Sequence, residues 1–182
     1  MNGTAPFFDG DGNRPDELLA VVDGEDRETG AERRDVVHAR GLLHRAVHVV
    51  LTGPDGRVLI QKRSALKDTF PLHWECVGGH LGPGEAYADA ARREVREELG
   101  VDAADFERVA VIEASPVTGF EFLHVFRATL ADVPVPEPTE VIAVEWIERT
   151  MLAREVAEGR REFSPSFVHT LRRIGWLDQV RR

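Results

Sequence analysis

Residues 79–101 read GHLGPGEAYADAARREVREELGV, and the rest of the chain is best understood outward from them. The stretch has two halves. Gly78, Gly79, Gly82 and Gly84 make a loop whose backbone can approach an ion or a phosphate closely. Residues 86–99 then lack Gly and Pro and are rich in helix formers, which predicts a helix of about four turns closed by Gly100 as its C-terminal cap. At 100° per residue, Glu94, Glu97 and Glu98 fall within an arc of roughly 100°, while Ala88, Val95 and Leu99 form an apolar face elsewhere on the helix. Like charges at this spacing repel, at a cost of about 0.2–0.5 kcal/mol per pair on an isolated helix. A cation on that face relieves the repulsion, and clustered carboxylates suit a hard divalent ion, Mg²⁺ or Mn²⁺. Arg93, next to Glu94, is placed to orient a carboxylate by a charge-assisted bond. The competing reading is a solvated acidic stripe.

Strand signals flank this unit. RAVHVVL (45–51) carries β-branched residues on both faces, the pattern of a buried strand. GPDG (53–56) is a turn and RVLIQKR (57–63) follows, so residues 45–63 are expected to form a hairpin. Residues 64–74 read as a loop and ECVGG as a short strand entering the glycine loop. Upstream, residues 1–16 are expected to be a flexible leader, 17–23 an edge strand and 24–35 a loop or hairpin. Downstream, FERVAVIEAS and FEFLHVFRATL are two strands joined by PVTG, and ADVPVPEPTE, with its three prolines, is a surface loop. VIAVEWIE is a further strand, and helices near 150–158 and 165–175 finish the chain, the second opening at Ser164-Pro165. This order predicts one α/β or α+β layered domain with a mixed sheet over residues 17–182.

Composition narrows the function. The 182 residues include 23 Lys and Arg against 32 Asp and Glu, a net charge of −9. That balance argues against nonspecific nucleic-acid binding, which draws on a basic surface. The 42% hydrophobic content is too high for a disordered chain. The single cysteine, Cys76, excludes an internal disulfide and a multi-cysteine zinc site. No apolar run reaches the ~18 residues that span a bilayer, and the first residues lack a signal-peptide pattern, so a cytoplasmic location is expected.

The pattern G, five residues, E, seven residues, R-E-aliphatic-x-E-E-x-G-aliphatic is filled without a gap by Gly79, Glu85, Arg93, Glu94, Val95, Glu97, Glu98, Gly100 and Val101. A chance match in a chain of this size is on the order of one in a million. It is the signature of the Nudix hydrolases, which the chain resembles over about residues 40–150. The resemblance implies an α/β/α sandwich with the signature as loop–helix–loop. It also implies metal-dependent hydrolysis of a nucleoside diphosphate linked to another group. Carried over by position, Glu94, Glu97 and Glu98 are metal ligands, with the Gly78 carbonyl as a backbone ligand. Arg93 holds a catalytic glutamate, and Glu85 supports the helix start or a metal-bound water. The general base is a signature glutamate, Glu94 or Glu97, or one from the proline-rich loop, where Glu140 is placed slightly ahead of Glu137. Arg63, His80, Glu85 and Phe120 are candidate substrate contacts. The implied partners are a small-molecule diphosphate and no nucleic acid or membrane, with a homodimer left open.

A second resemblance is to one branch of the superfamily, the type I isopentenyl diphosphate isomerases. It rests on LLHRAVHVVL (42–51), KRS (62–64), FPLHW (70–74), His80 and FSP (163–165). In the isomerases histidines near the positions of His38, His44 and His80, with glutamates, bind a metal. Their catalytic cysteine falls at Gly78 here, and Cys76 is about 7 Å along a strand from it. Their catalytic glutamate matches Glu121, but its acidic partner two residues earlier is Gly119. The expectation is therefore an isomerase-like hydrolase. Isomerase activity and noncatalytic nucleotide sensing are the alternatives.

Overall fold

The computed structural model describes residues 14–177. Its centre is β3 (His44–Thr52). Ala46 and Val50 of this strand join one apolar cluster, and Val47, Val49 and Leu51 join another, so both faces are covered as the residue pattern requires. β8 (Glu121–Thr129) runs parallel to β3 along its whole length, from His44↔Glu121 to Thr52↔Thr129. β6 (Val77–His80) lies antiparallel on the other side of β3. β7 (Ala104–Ile112) extends the sheet beyond β8, and the hairpin of β1 (Leu18–Val22) with β2 (Glu28–Arg33) joins the start of β3 through Val21↔His44.

Helices cover the two faces. α2 (Tyr87–Leu99) buries Ala90, Ala91, Val95 and Leu99 against Val47, Val49 and Leu51. α3 (Arg149–Glu158) and α4 (Pro165–Arg173) bring Leu152, Phe167 and Leu171 to the opposite cluster. Each Val, Leu or Phe among them contributes about 1.5–3 kcal/mol when fully buried. The result is the expected α/β/α sandwich around a mixed sheet of nine strands among the described residues. Gly100 caps α2 in the left-handed conformation (φ 65°), and Ser164 Oγ accepts from the Phe167 N–H at 3.3 Å at the start of α4.

Three expectations need correction. Residues 45–63 do not form a hairpin. β3 and β4 (Val58–Arg63) share only the pair Thr52↔Val58, after which β4 leaves to pair with β9 (Val141–Ile147) and β5 (Trp74–Glu75). The turn forms as read, with the Gly56 N–H donating to Gly53 O at 2.9 Å, but β6 takes the place beside β3. Second, RDVVHAR forms a helix, α1 (Arg34–Arg40), that apolar periodicity could not reveal because only Arg34 and Val37 are buried. Third, of the proposed leader, residues 1–13 lie outside the described residues, whereas Arg14–Asp16 are tied down: Pro15 O accepts from the Asp35 N–H at 3.1 Å. No helix among the described residues is long and apolar enough to cross a membrane.

Candidate active site

The split between β3 and β4 opens a cavity of about 650 Å³, and the polar face of α2 forms one wall of it. Arg93 organises that wall. Its guanidinium donates to both oxygens of Glu85 (2.8 and 2.9 Å), to Glu94 Oε1 (2.7 Å), to Glu97 Oε2 (3.1 Å) and to the His80 carbonyl (2.9 Å). One arginine thus holds three carboxylates and the end of β6 in register. Glu85 also accepts from the Gly82 N–H at 3.0 Å, so its two oxygens are engaged in fastening the glycine loop to the helix.

The glycines are required by this geometry. A Cβ at Gly79 would lie 2.2 Å from Glu94 Oε1, so no other residue leaves room for that carboxylate. A Cβ at Gly78 would meet His48 Cδ2 at 2.7 Å on the other side of the strand. The Gly78 N–H donates to Glu98 Oε2 at 3.3 Å, and Gln61 of β4 donates to the same oxygen at 2.8 Å. The motif spacing does not point to Gln61. A lone glutamine within the buried run VLIQKR is the signal that marks it, because a buried amide needs a partner.

Glu94 and Glu98 are buried, whereas Glu97 is half exposed. Burial pushes Glu94 up to about 7; Arg93 opposes the shift and the Glu97 charge adds to it. Burial, then the charges of Glu94 and Glu75, push Glu98 well above the usual carboxylate range. Glu94 Oε2 and Glu98 Oε1 accept no hydrogen bond among the described residues. Two buried carboxylates with raised pKa values and free oxygens, of which Glu94 alone meets Arg93 while Glu98 meets only neutral donors, are short of positive charge. This all-oxygen donor set fits a hard divalent cation.

Cationic groups line the cavity as well. Arg63 is fixed by Glu75 at 2.5 Å and by the Thr69 carbonyl at 2.9 Å. Lys67 holds Glu140. The proline-rich loop is not purely a surface feature. Its Glu137 N–H donates to Glu98 O at 2.9 Å, and Glu137 is buried in the cavity wall. Glu137 Oε1 accepts from Thr139, while its Oε2 is buried without a partner among the described residues. Phe120 lies half exposed at the cavity rim with φ 67°, its ring against Gly41.

A second cluster shares the cavity. His38, His44 and His80 place ring nitrogens within 4.8 Å of one another. His80 Nε2 lies 3.3 Å from His38 Nε2 and 3.2 Å from Glu121 Oε1, and His44 Nε2 is buried without a hydrogen bond among the described residues. Burial depresses all three imidazoles, His80 most, with the neighbouring His44 adding to it, while burial raises Glu121. Six residues apart in sequence, His38 and His44 are not related by spacing alone. The structure joins them because α1 folds back over β3. Cys76 belongs instead to the apolar core, 1% exposed, and does not line the cavity.

The comparisons agree with this architecture. Residues 42–167 match the NUDIX domain model. An uncharacterized Nudix hydrolase of Streptomyces coelicolor is 48% identical over 94 residues, which is 51% of this chain and 52% of that protein, so the chain spans about half the length of that relative. An isopentenyl-diphosphate Delta-isomerase of Nocardia farcinica is 36% identical over 84% of this chain and 91% of its own length. The crystal structure of DR0079 from Deinococcus radiodurans superimposes with a TM-score of 0.77 at 27% identity, covering 87% of this chain and 99% of that one.

Proposed function

Because the chain belongs to the Nudix family, with the signature complete and folded around Arg93, we propose that it is a pyrophosphohydrolase that uses Mg²⁺ to split the diphosphate linkage of a nucleoside diphosphate derivative or related organic diphosphate. One observation carries the reading. Glu94, Glu97 and Glu98 converge on one cavity wall, and the two buried ones keep free oxygens and raised pKa values.

A divalent ion bound there supplies charge neutralisation for the diphosphate and acidifies the attacking water. Glu94 and Glu98 would hold it, with Glu97 and the Gly78 carbonyl as further oxygens. Arg93 fixes Glu94 and Glu97 in place, so the carboxylates need no reorganisation when substrate enters. Arg63 and Lys67, which line the same cavity, are the cations available to the substrate phosphates. His80 supplies its carbonyl to Arg93 and its ring to the cavity, and Phe120 covers the mouth. Of the loop carboxylates, Glu140 is neutralised by Lys67, whereas Glu137 keeps a buried free oxygen. Glu137 therefore fits the role of a loop base better than Glu140, and Glu97 and Glu94 are the bases within the helix. The test is turnover of a panel of nucleoside diphosphate derivatives with Mg²⁺ or with EDTA. Metal-dependent release of phosphate or nucleoside monophosphate is expected, and tight nucleotide binding without turnover would make the protein a sensor.

A second reading, isopentenyl diphosphate isomerase, is favoured by one observation: the His38, His44, His80 and Glu121 cluster, a nitrogen-rich set that suits a second divalent metal. Against it, Gly78 offers no side chain to protonate carbon. Cys76 is buried in the core with its thiol pushed well above the ordinary range, by burial first and then by the charges of Glu75 and Glu98.

A further inference from the structure

The glycine loop between β6 and α2 is held from outside the cavity as well as from within. The β1–β2 hairpin meets it at three points. At its start, the Ala20 N–H of β1 donates to Leu81 O at 3.0 Å, while the Leu81 N–H donates to Arg45 O at 3.1 Å. In its middle, the Gly84 N–H lies 3.1 Å from both oxygens of Glu28, the first residue of β2. At its end, Tyr87, the first residue of α2, donates its hydroxyl to Asp26, whose oxygens lie at 3.1 and 3.0 Å. Arg45 of β3 joins these points. Its Nε donates to Asp26 Oδ1 at 2.7 Å, its Nη1 to Glu28 Oε2 at 3.4 Å and its Nη2 to the Asp26 carbonyl. The Tyr87 ring stacks on His124 of β8, with centroids 3.4 Å apart.

Core packing does not account for this tip. β1 buries Leu19, Ala20 and Val22, but β2 is exposed along most of its length. Asp26 stands in the left-handed region at φ 59°, uncommon for a residue with a side chain. Exposed ion pairs add little to stability. None of Ala20, Asp26, Glu28, Arg45 and Tyr87 lines the cavity. What their bonds restrict is a loop that Gly82 and Gly84 would otherwise leave free to move. Glu85, next to Gly84, accepts two of the five bonds that fix Arg93. Arg93 in turn aligns Glu94 and Glu97.

We infer that the tip of the β1–β2 hairpin braces the glycine loop, and that Glu28 is a positioning residue for the reaction, acting through Gly84, Glu85 and Arg93 on Glu94 and Glu97. This rests on the hydrolase reading for the chemistry and adds to it a segment outside the signature. Without Glu28 the loop is free to carry Glu85 away from Arg93, and the two carboxylates lose the fixed guanidinium that aligns them. A misplacement of about 1 Å costs on the order of a hundredfold in rate, and a loosened group that still visits its place costs less. The other cavity residues are untouched, so the loss falls on kcat and not on KM.

The test compares the wild type with Glu28→Ala, Glu28→Gln and Tyr87→Phe. Amide exchange is followed by NMR at Gly82 and Glu85, whose N–H groups bond within the loop and do not touch Glu28. In Glu28→Ala both should exchange about tenfold faster, with the amides of β3 unaltered. A contact of purely local effect would change Gly84 alone. In hydrolysis of nucleoside diphosphate derivatives with Mg²⁺, kcat should fall about tenfold while KM stays within about twofold. Glu28→Gln keeps an oxygen for the Gly84 N–H and should recover most of both losses. Tyr87→Phe should act in the same direction but less, since Arg45 still holds Asp26. In a Glu85→Ala background, Glu28→Ala should add little to the loss of kcat, because the route through Glu85 is already cut. Unaltered exchange at Gly82 and Glu85, unaltered kcat, or a full further loss in the Glu85→Ala background would overturn the inference. If the wild type hydrolyses none of these diphosphates, the hydrolase reading fails and Mn²⁺ affinity, measured by calorimetry, takes the place of kcat. Affinity weakened about tenfold in Glu28→Ala supports the brace, and unaltered affinity overturns it.

Discussion

The carboxylate wall and the imidazole cluster occupy one cavity but are assembled in opposite ways. Glu94, Glu97 and Glu98 come from little more than one turn of α2; Arg93 aligns the first two, and Gln61 with the Gly78 N–H holds the third. His38, His44, His80 and Glu121 come from α1, β3, β6 and β8, and only the paired strands bring them together. His80 belongs to both regions, since its carbonyl receives Arg93 while its ring meets His38 and Glu121. Burial acts on both with opposite sign: it raises the carboxylates and depresses the imidazoles. Each region is therefore driven towards its neutral form, and each gains by coordinating a cation, the first through oxygen and the second largely through nitrogen.

The largest effect expected is on the first region. Glu98→Gln removes a buried donor while keeping its shape, and metal-dependent hydrolysis should fall by at least about a hundredfold. Divalent-ion affinity, measured by calorimetry, should fall with it. Unaltered turnover in this variant would mean that the carboxylate wall is not the reaction centre, and the comparison would collapse.

Gly79→Ala tests the same region without touching a carboxylate. The added Cβ, 2.2 Å from Glu94 Oε1, must displace that side chain or the end of β6. Activity should drop by roughly tenfold or more, in keeping with a small misplacement of a catalytic group. The fold should survive, and thermal melting separates the two effects. A fully active Gly79→Ala would show that Glu94 has freedom to move that the packing around it does not suggest.

This residue also shows what could be read before folding. The helix, its acidic face, its Gly100 cap and the need for glycine in the loop all follow from spacing within 23 residues, where local geometry dominates. Gln61, Glu137 and the imidazole cluster depend on strand pairing. The sequence reads 45–63 as a continuous hairpin, and that reading hides the split through which Gln61 reaches Glu98. A turn signal specifies where a chain reverses but not how far the two strands stay paired.

His38→Ala addresses the second region. Coordination there should be lost, read as the loss of one equivalent of transition metal by elemental analysis of protein loaded with Zn²⁺ or Mn²⁺. Hydrolysis should change by less than about tenfold, since His38 bonds only His80 among the described residues. An equal collapse of turnover would make the two regions a single functional unit, joined through His80.

The smallest effect is on stability, and it distinguishes the regions by sign. Glu94 is raised from its ordinary value of 4.5 to about 7, so between those values the folded protein holds a proton that the unfolded chain has released. The contribution of Glu94 to stability is therefore lost as pH rises through this window and is constant above it. His44 is depressed below its ordinary 6.5 by burial, so the unfolded chain takes up a proton that the folded protein refuses. Its contribution is present above 6.5 and is lost as pH falls. In EDTA, the Tm of wild type minus that of Glu94→Gln should decrease from pH 4.5 to 7, whereas wild type minus His44→Asn should increase up to about pH 6.5. Saturating Mg²⁺ should flatten the first difference, because a bound cation keeps the carboxylate ionised in the folded state. Slopes of the same sign would mean that burial does not govern the two regions in opposite directions, and the electrostatic contrast between them would have to be abandoned.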